Sequence, residues 1–565
     1  MGRIDGAEVL VRGLRAEGVR AVFAITDVSY APVLRSAEEC GIRIVGGRHE
    51  SANVHMAEGW ARASGEVAVA MATMGPGVAN MVPGAFTAWN EGFPVLLLGT
   101  QRTERADRSI RRGRFQHSPQ IDALRPITKF AATVPDAARI PEYLREAFRH
   151  ALTGRPGPAY LELQVDVLRE ELDDEGLRFP EPERYRASAG APDAGAMRRA
   201  AEMIGEAEFP LVLAGQGVLR AGAGKELQAL VDRIGAAVMT TPSARGAIDE
   251  DHPRVVATPL MSPGGARAAL EADVVIAAGT EVSEIVGYGR PPQWREPGEQ
   301  RWIQLNVDPA SIGVNREVDV ALVGDARAGL AALAALAPER EPADAAVECA
   351  EFERGLLDQL KGELRENEAC PIHPGRLAVE VADFFPRDGI TCFDGGNTAL
   401  WAFMSHRFHA PRSLLWTGHF GHLGTGLPYA IAAKLVSPER PVHLITGDSA
   451  LGFNLAELET AAREQVDIVV VVSCDYAWGM EVLGEQEEIG RAIGTETSHV
   501  RYDEVALGLG CHGAFVQRPE EIRPALEQAS RFRGPAVVQV DVDPSENASP
   551  PFLAEFLEMY EAREA

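Results

Sequence analysis

A chain of 565 residues is longer than one hydrophobic core supports, so several domains are required, with three as the central expectation. Its 24% charged and 46% hydrophobic content is ordinary for a soluble globular protein. The net charge of −27 argues against nucleic acid as the main partner, while local basic clusters can still hold a small anionic ligand.

The amino terminus, MGRIDGAEVLVRGL, breaks its apolar positions with charge at helical spacing, so it is not read as a signal peptide. Short apolar runs then alternate with amphipathic stretches, the pattern of parallel sheets covered by helices. The strand candidates are 22–25, 42–45, 67–72 and 95–98, then 210–214, 237–240, 274–278 and 303–307, and finally 390–393, 442–445, 468–472 and 536–540. Charge- and proline-rich stretches at 171–194 and 336–347 read as linkers. The expectation is three Rossmann-like α/β domains over 1–180, 193–337 and 350–550, with a tail over 551–565. They are either related units or independent folds of one class. The six cysteines form no close pair, which points away from a zinc site or a disulfide framework. No run of 18 apolar residues occurs, so no membrane partner is expected, and a reducing cytoplasm fits best.

The strongest chemical signal lies at 441–480. PVHLIT reads as a buried strand ending at Gly447-Asp448-Ser449-Ala450, a helix follows through 455–463, and VDIVVVVS is the next strand, ending near Asp475. Asp448 and Asp475 then stand at adjacent strand ends one βαβ crossover apart, where open parallel sheets bind ligands. Two carboxylates there suit a hard cation such as Mg²⁺, and Gly447 lets a phosphate approach the backbone. A single aspartate at such a place has the bland alternative of a helix N-cap; the spaced pair is harder to explain that way.

This segment resembles the motif of the thiamine-diphosphate-dependent enzymes, a Gly-Asp-Gly start with an Asn-Asn end about thirty residues later. The resemblance implies that Asp448 and Asp475 are side-chain metal ligands and that Ala477 offers its carbonyl. Gly447, Ser449, Ala450, Trp478 and Gly479 would lie around the cofactor. Ser449 replaces a glycine of the motif, and Cys474-Asp475 replaces the two asparagines, which adds a negative charge beside the diphosphate.

Three further segments resemble the same family. RHESANVHMAEGWARASG, with TMGPGVANMVPGAFTAWNEGFPVLLLG, resembles its pyrimidine-binding domain. There Glu50 would hydrogen-bond the aminopyrimidine ring and favour the imino tautomer that deprotonates the thiazolium carbon; alone, a glutamate at a helix start simply satisfies the dipole. In WTGHFGHLGTGLPYAIAAKL, Leu423 would wedge between the two cofactor rings and the Gly421 carbonyl would accept from the amino group. In FDGGNTALW, Asn397 and Thr398 would contact the diphosphate. The family implies a homodimer at minimum, commonly a homotetramer, with Glu50 and the metal site from different subunits.

Within the family, GDSALGF, NTALW and GRFQHSPQIDALRPITKFAATV resemble the 2-hydroxyacyl-CoA lyase and oxalyl-CoA decarboxylase branch. Gln116 and His117 would lie near the reacting carbon, or else on a surface loop. Glu485 would be a proton shuttle, or else part of a solvated acidic helix face. The arginine-rich 101–115 segment suits a CoA phosphate, though such runs are more often surface loops. The expected reaction is cleavage of a 2-hydroxyacyl-CoA to a carbonyl product and formyl-CoA. The alternatives are an acetolactate-synthase-like carboligase, a 2-keto acid decarboxylase, a benzaldehyde-lyase-like enzyme or a cofactor-binding inactive homologue. The substrate would be an acyl-CoA or a 2-keto acid. The middle domain could hold a nucleotide, ADP or CoA, whereas GTEVSEIVGYG shows no flavin-contact motif, so FAD is not expected.

Overall fold

The computed structural model describes residues 3–103, 113–187 and 189–550. Most of the arginine-rich 101–115 segment and the 551–565 tail lie outside the described residues. Three α/β domains follow one another, each built on a six-stranded parallel sheet.

The first domain contains β1 (Arg3–Asp5), β2 (Ala21–Ala24), β3 (Arg43–Val45), β4 (Ala68–Ala72), β5 (Val95–Gln101), β6 (Phe130–Val134), β7 (Ala159–Gln164) and β8 (Glu171–Asp173). Its main sheet runs β3-β2-β4-β5-β7-β6, and β1 and β8 form a separate antiparallel pair. The reading of 171–194 as linker is therefore corrected: its first three residues are paired strand. The middle domain contains β9 (Pro210–Ala214), β10 (Ala237–Thr240), β11 (Val255–Val256), β12 (Val274–Ala278), β13 (Arg301–Asn306) and β14 (Val320–Val323), in the order β11-β10-β9-β12-β13-β14. The third contains β15 (Ile390–Asp394), β16 (Leu414–Leu415), β17 (Val442–Gly447), β18 (Val469–Cys474), β19 (His512–Val516) and β20 (Ala536–Asp541), in the order β16-β15-β17-β18-β20-β19.

All twelve strands expected from the sequence are present, and the first and third domains share one topology while the middle domain has another. In each sheet the chain leaves its first strand towards one edge and then returns to the other side. The resulting switch points lie between β2 and β4, between β9 and β12, and between β15 and β17. A crevice forms there because the connections diverge to opposite faces. The central strands are Val-, Leu- and Ala-rich and buried along their length, as strands covered on both faces must be.

The first and third domains share a core, in which Val54 and Ala57 pack with Tyr429, Ala432 and Val470. The helices Glu50–Ser64 and Gly426–Val436 cross closely at Gly59, where a Cβ would fall 2.9 Å from the Tyr429 Cα. Among the described residues no helix is long and apolar enough to cross a membrane.

Candidate active site

Strands β15, β17 and β18 lie side by side and deliver three peptide segments to one edge of the third sheet. After β17 a helix begins at once at Asp448 (Asp448–Asn454), earlier than the 455–463 expected from the sequence, and a second helix follows over Glu457–Arg463. After β15 the helix Asn397–Ser405 begins, and after β18 the chain turns through Tyr476 into the helix Gly479–Ile489. Helix N-termini directed at one crevice favour an anion such as a diphosphate.

Asp448 and Asp475 are 2% and 7% exposed. Asp448 Oδ1 accepts from the Ser449 amide at 2.7 Å and its Oδ2 from the Tyr476 amide at 3.1 Å. Asp475 Oδ1 accepts from the Ala477 amide at 3.2 Å, and its Oδ2 from Asn547 Nδ2 at 2.7 Å. Burial, then the neighbouring Asp475 charge, pushes the Asp448 carboxyl up to about 7, and burial raises Asp475 as well. Two carboxylates driven together out of water call for a cation between them. Ser449 Oγ donates to the Ala477 carbonyl at 3.0 Å, so the serine that replaces a glycine ties the two halves of the motif together. Tyr476 turns the chain with φ +56°, an unfavourable conformation for an aromatic residue that aims Ala477 and Trp478 back across the crevice.

These residues fit thiamine diphosphate and a hard cation. The donor set, two carboxylates with the Ala477 carbonyl, is all oxygen. Asn397 is buried, yet both its Nδ2 and its Oδ1 lack a partner, as does Asn547 Oδ1. A Cβ on Gly479 would fall 2.4 Å from Asp475 Oδ2, so only glycine leaves that carboxylate in place. Gly447 faces Thr398, whose Oγ1 would lie 3.3 Å from an added Cβ, and Ala450 is buried behind them.

The 421–426 turn is held from below by Asp394, a residue the sequence reading passed over. Its Oδ1 accepts from the Gly395 and Gly424 amides at 2.8 and 3.1 Å, and its Oδ2 from the Gly426 amide at 2.8 Å. Gly421 takes φ +66° and Leu423 is half-buried at the crest of this turn. From the first domain, Glu91 Oε1 accepts from the His419 and Phe420 amides at 3.0 and 2.8 Å, and Arg62 donates to Glu91, to Glu58 and to the Trp416 carbonyl. A strand-terminal aspartate before two glycines was a usable signal for Asp394. Nothing local pointed to Asn547 or Glu91.

Glu50 heads its helix, half-buried, with Asn80 Nδ2 donating to its Oε2 at 3.0 Å. A Cβ on Gly77 would come 3.2 Å from its Oε1. Gln116 has φ +59°, and its carbonyl would lie 2.5 Å from a Cβ on Gly75. Gln116 thus stands at the first domain's switch point beside the Glu50 group, while the neighbouring His117 is exposed. No hydrogen bond among the described residues joins Glu50 to the 394–426 or 447–479 segments. Glu485 accepts from the Ile493 amide and is half-buried on a helix with no buried residue.

At the switch point of the middle sheet a cavity of about 690 Å³ opens where all three domains meet. Gln216, Gly279, Thr280, Asn306, Arg220 and Arg412 are among its lining residues. Gly279–Glu281 belong to the segment in which no flavin motif was expected.

Three matches to family models place this architecture. The N-terminal TPP binding domain of thiamine pyrophosphate enzymes matches residues 4–124, the central domain 197–333, and the C-terminal TPP binding domain 394–540. The chain belongs to the thiamine pyrophosphate enzyme family and is an enzyme of carbon–carbon bond chemistry that uses this cofactor. It is 31% identical to a probable acetolactate synthase large subunit of Methanocaldococcus jannaschii, over 96% of this chain and 93% of that protein. It is 29% identical to a sulfoacetaldehyde acetyltransferase of Alcaligenes xylosoxydans xylosoxydans, over 93% and 90%. It is 26% identical to 2-hydroxyacyl-CoA lyase 1 of Mus musculus, over 96% and 94%.

Proposed function

We propose that the enzyme cleaves, reversibly, a 2-hydroxyacyl-CoA to an aldehyde or ketone and formyl-CoA. The cofactor reading is supported by the buried Asp448–Asp475 pair, whose shared negative charge a cation between the strand ends would offset. Thiamine diphosphate supplies the nucleophilic carbon and the electron sink. The chain's residues do the rest. Asp448, Asp475 and the Ala477 carbonyl hold Mg²⁺, and Asn397, Thr398 and the amides after Gly447 hold the diphosphate. The Asp394-clamped turn presents Leu423 and the Gly421 carbonyl to the rings. Glu50 holds and releases the proton that activates the cofactor, and it acts in the site of the partner subunit of a homodimer or homotetramer. Gln116 stands on the Glu50 side and positions the substrate carbonyl, with His117 at the mouth. Glu485 shuttles a proton to and from the substrate hydroxyl. The CoA reading is supported by the GDSALGF and FQ…PQ sequences and by similarity to the mouse lyase. A nucleotide, ADP or CoA, occupies the cavity between the domains, whose volume suits such a ligand and whose walls carry Arg220 and Arg412.

A second reading, condensation of two molecules of pyruvate to acetolactate with release of carbon dioxide, is favoured by the similarity to acetolactate synthases over nearly the whole chain. Incubation with thiamine diphosphate, Mg²⁺ and either a 2-hydroxyacyl-CoA or pyruvate separates the two. The lyase gives formyl-CoA, and acetolactate without formyl-CoA reverses the assignment.

A further inference from the structure

We infer that Glu457, in the third domain, is a positioning residue for Glu50, because it fixes the turn that presents Glu50 to the cofactor. The inference rests on the activating role proposed for Glu50.

Glu457 is the first residue of the helix Glu457–Arg463, and a glutamate there ordinarily complements its own helix dipole. This one also reaches into another domain. It is 1% exposed, and its Oε1 accepts from the Arg48 amide at 2.9 Å and the His49 amide at 3.2 Å, both in the first domain. Its Oε2 accepts from the Thr460 hydroxyl at 2.7 Å, which holds the carboxylate in that orientation.

The first domain needs this acceptor. His49 caps the helix Glu50–Ser64, with its ring Nδ1 accepting from the Ser51 amide at 3.1 Å. A capping box would complete the helix start with a glutamate or glutamine at the third helical position, reaching back to the cap amide. That position is Ala52, which has no such group. Glu457 supplies the acceptor instead, from 408 positions along the chain.

Neighbouring contacts converge on the same turn. Arg463 donates to the Gly46 carbonyl, Arg43 to Glu464 at 3.1 Å, and Arg48 pairs with Glu459 at 3.7 Å. The arginines of the last two pairs are largely exposed, so those pairs contribute little. Glu457 is the buried contact, where water competes least. Beside it Leu458 and Ala461 sit in the core shared by the two domains.

The clamp has a counterpart in Glu91, which accepts from the His419 and Phe420 amides just before the Gly421–Leu423 turn. Each domain thus gives one buried glutamate to two successive amides of the other. In both cases those amides precede the group that meets the cofactor, Glu50 in one domain and Gly421 in the other. Among the described residues the Glu50 carboxylate itself is bonded only by Asn80, at 3.0 Å, so its aim follows the turn below it. A proton-transfer group works only within hydrogen-bond reach of its target, and a small displacement costs rate.

Three full-length variants test this. Glu457→Gln keeps the reach and an acceptor oxygen, Glu457→Asp keeps the charge but draws the oxygen back by one methylene, and Glu457→Ala removes both. In the cofactor-free protein, amide hydrogen exchange over residues 46–52 is expected to quicken about tenfold or more in the Asp and Ala variants and to stay near wild type in Gln. In the loaded enzyme, exchange of the cofactor's reactive C–H at saturating thiamine diphosphate should slow about tenfold in Asp and Ala and about twofold at most in Gln, with cofactor affinity held within about threefold. Glu457→Asp carries the test if Glu457→Ala fails to fold. The inference is overturned if C–H exchange is unchanged in Asp and Ala while Glu50→Gln slows it. Gln as slow as Asp, or equal losses of C–H exchange and cofactor affinity, would overturn it too, the latter marking a purely structural contact. Unchanged C–H exchange in Glu50→Gln removes the activating role itself, and the positioning role with it.

Discussion

Asp448 and Asp475 illustrate how a single residue choice tunes a site. Two carboxylates at adjacent strand ends repel each other in a medium that cannot screen them, and a cation removes that cost. Asp475→Asn removes one charge while leaving a group that still bonds Asn547. It is expected to weaken Mg²⁺ binding about tenfold with the fold intact, read by Mg²⁺-dependent activity alongside thermal unfolding. Glu50 differs, because its work is on the proton. Glu50→Gln should slow exchange of the cofactor's reactive C–H about a hundredfold or more and change cofactor affinity far less; unchanged exchange removes the activating role. Glu58 carries a pH signature. Burial, assisted by the Glu91 charge, raises its carboxyl to about 7, and Arg62 only partly offsets this. The folded state therefore holds this proton more tightly than the unfolded chain, so the contribution is complete below about pH 4.5 and lost as pH rises through about 7. Glu58→Gln should flatten the fall in thermal stability between about pH 4.5 and 7, a span worth on the order of 3 kcal/mol; an unaltered slope would mean another group carries it.

At the scale of the element, glycine and capping decide the geometry. Gly479 starts its helix against Asp475, and Gly479→Ala is expected to displace that carboxylate and cost cation affinity without unfolding the domain, seen as a shifted Mg²⁺ titration at an unchanged melting temperature. The Glu485 carboxylate ties the helix Gly479–Ile489 to the chain that returns through Ile493. If it shuttles protons, Glu485→Ala lowers turnover much more than cofactor affinity; equal losses in both identify the tie as its whole role. Among the described residues, eight strands escaped the expectations from sequence. β7, AYLELQ, is buried throughout, but it carries Glu162, which is satisfied by Gln101, Gln120 and Thr133. A glutamate whose partners lie on other elements looks like a surface residue when only its neighbours in sequence are seen. β6 is half-exposed along most of its length, and β11 and β16 have two residues each, too short for any periodicity.

Across the whole molecule, the helix Glu50–Ser64 links two tasks. Its first residue belongs to the Glu50–Gln116 group, and its Arg62 end grips the third domain at 416–420 through Glu91. Arg62→Met leaves Glu58 and Glu91 buried without a cation. It is expected to cost about 3 kcal/mol in denaturant unfolding. Activity should survive in the fraction that folds, though with weaker cofactor binding. The chain alone revealed the class of three parallel-sheet domains, twelve of the strands, and the Asp448–Asp475 pairing, because one βαβ crossover can bring two strand ends side by side. It also revealed Glu50 at a helix start. Only the tertiary structure decided that Asn547 reaches Asp475 across 72 positions, that Asp394 and Glu91 hold the Gly421–Leu423 turn, and that three domains enclose a large cavity. Local patterning sets which residues must be buried and where strands end. Which distant groups then satisfy one another is set by packing, and the packing partners leave no mark on the residues they meet.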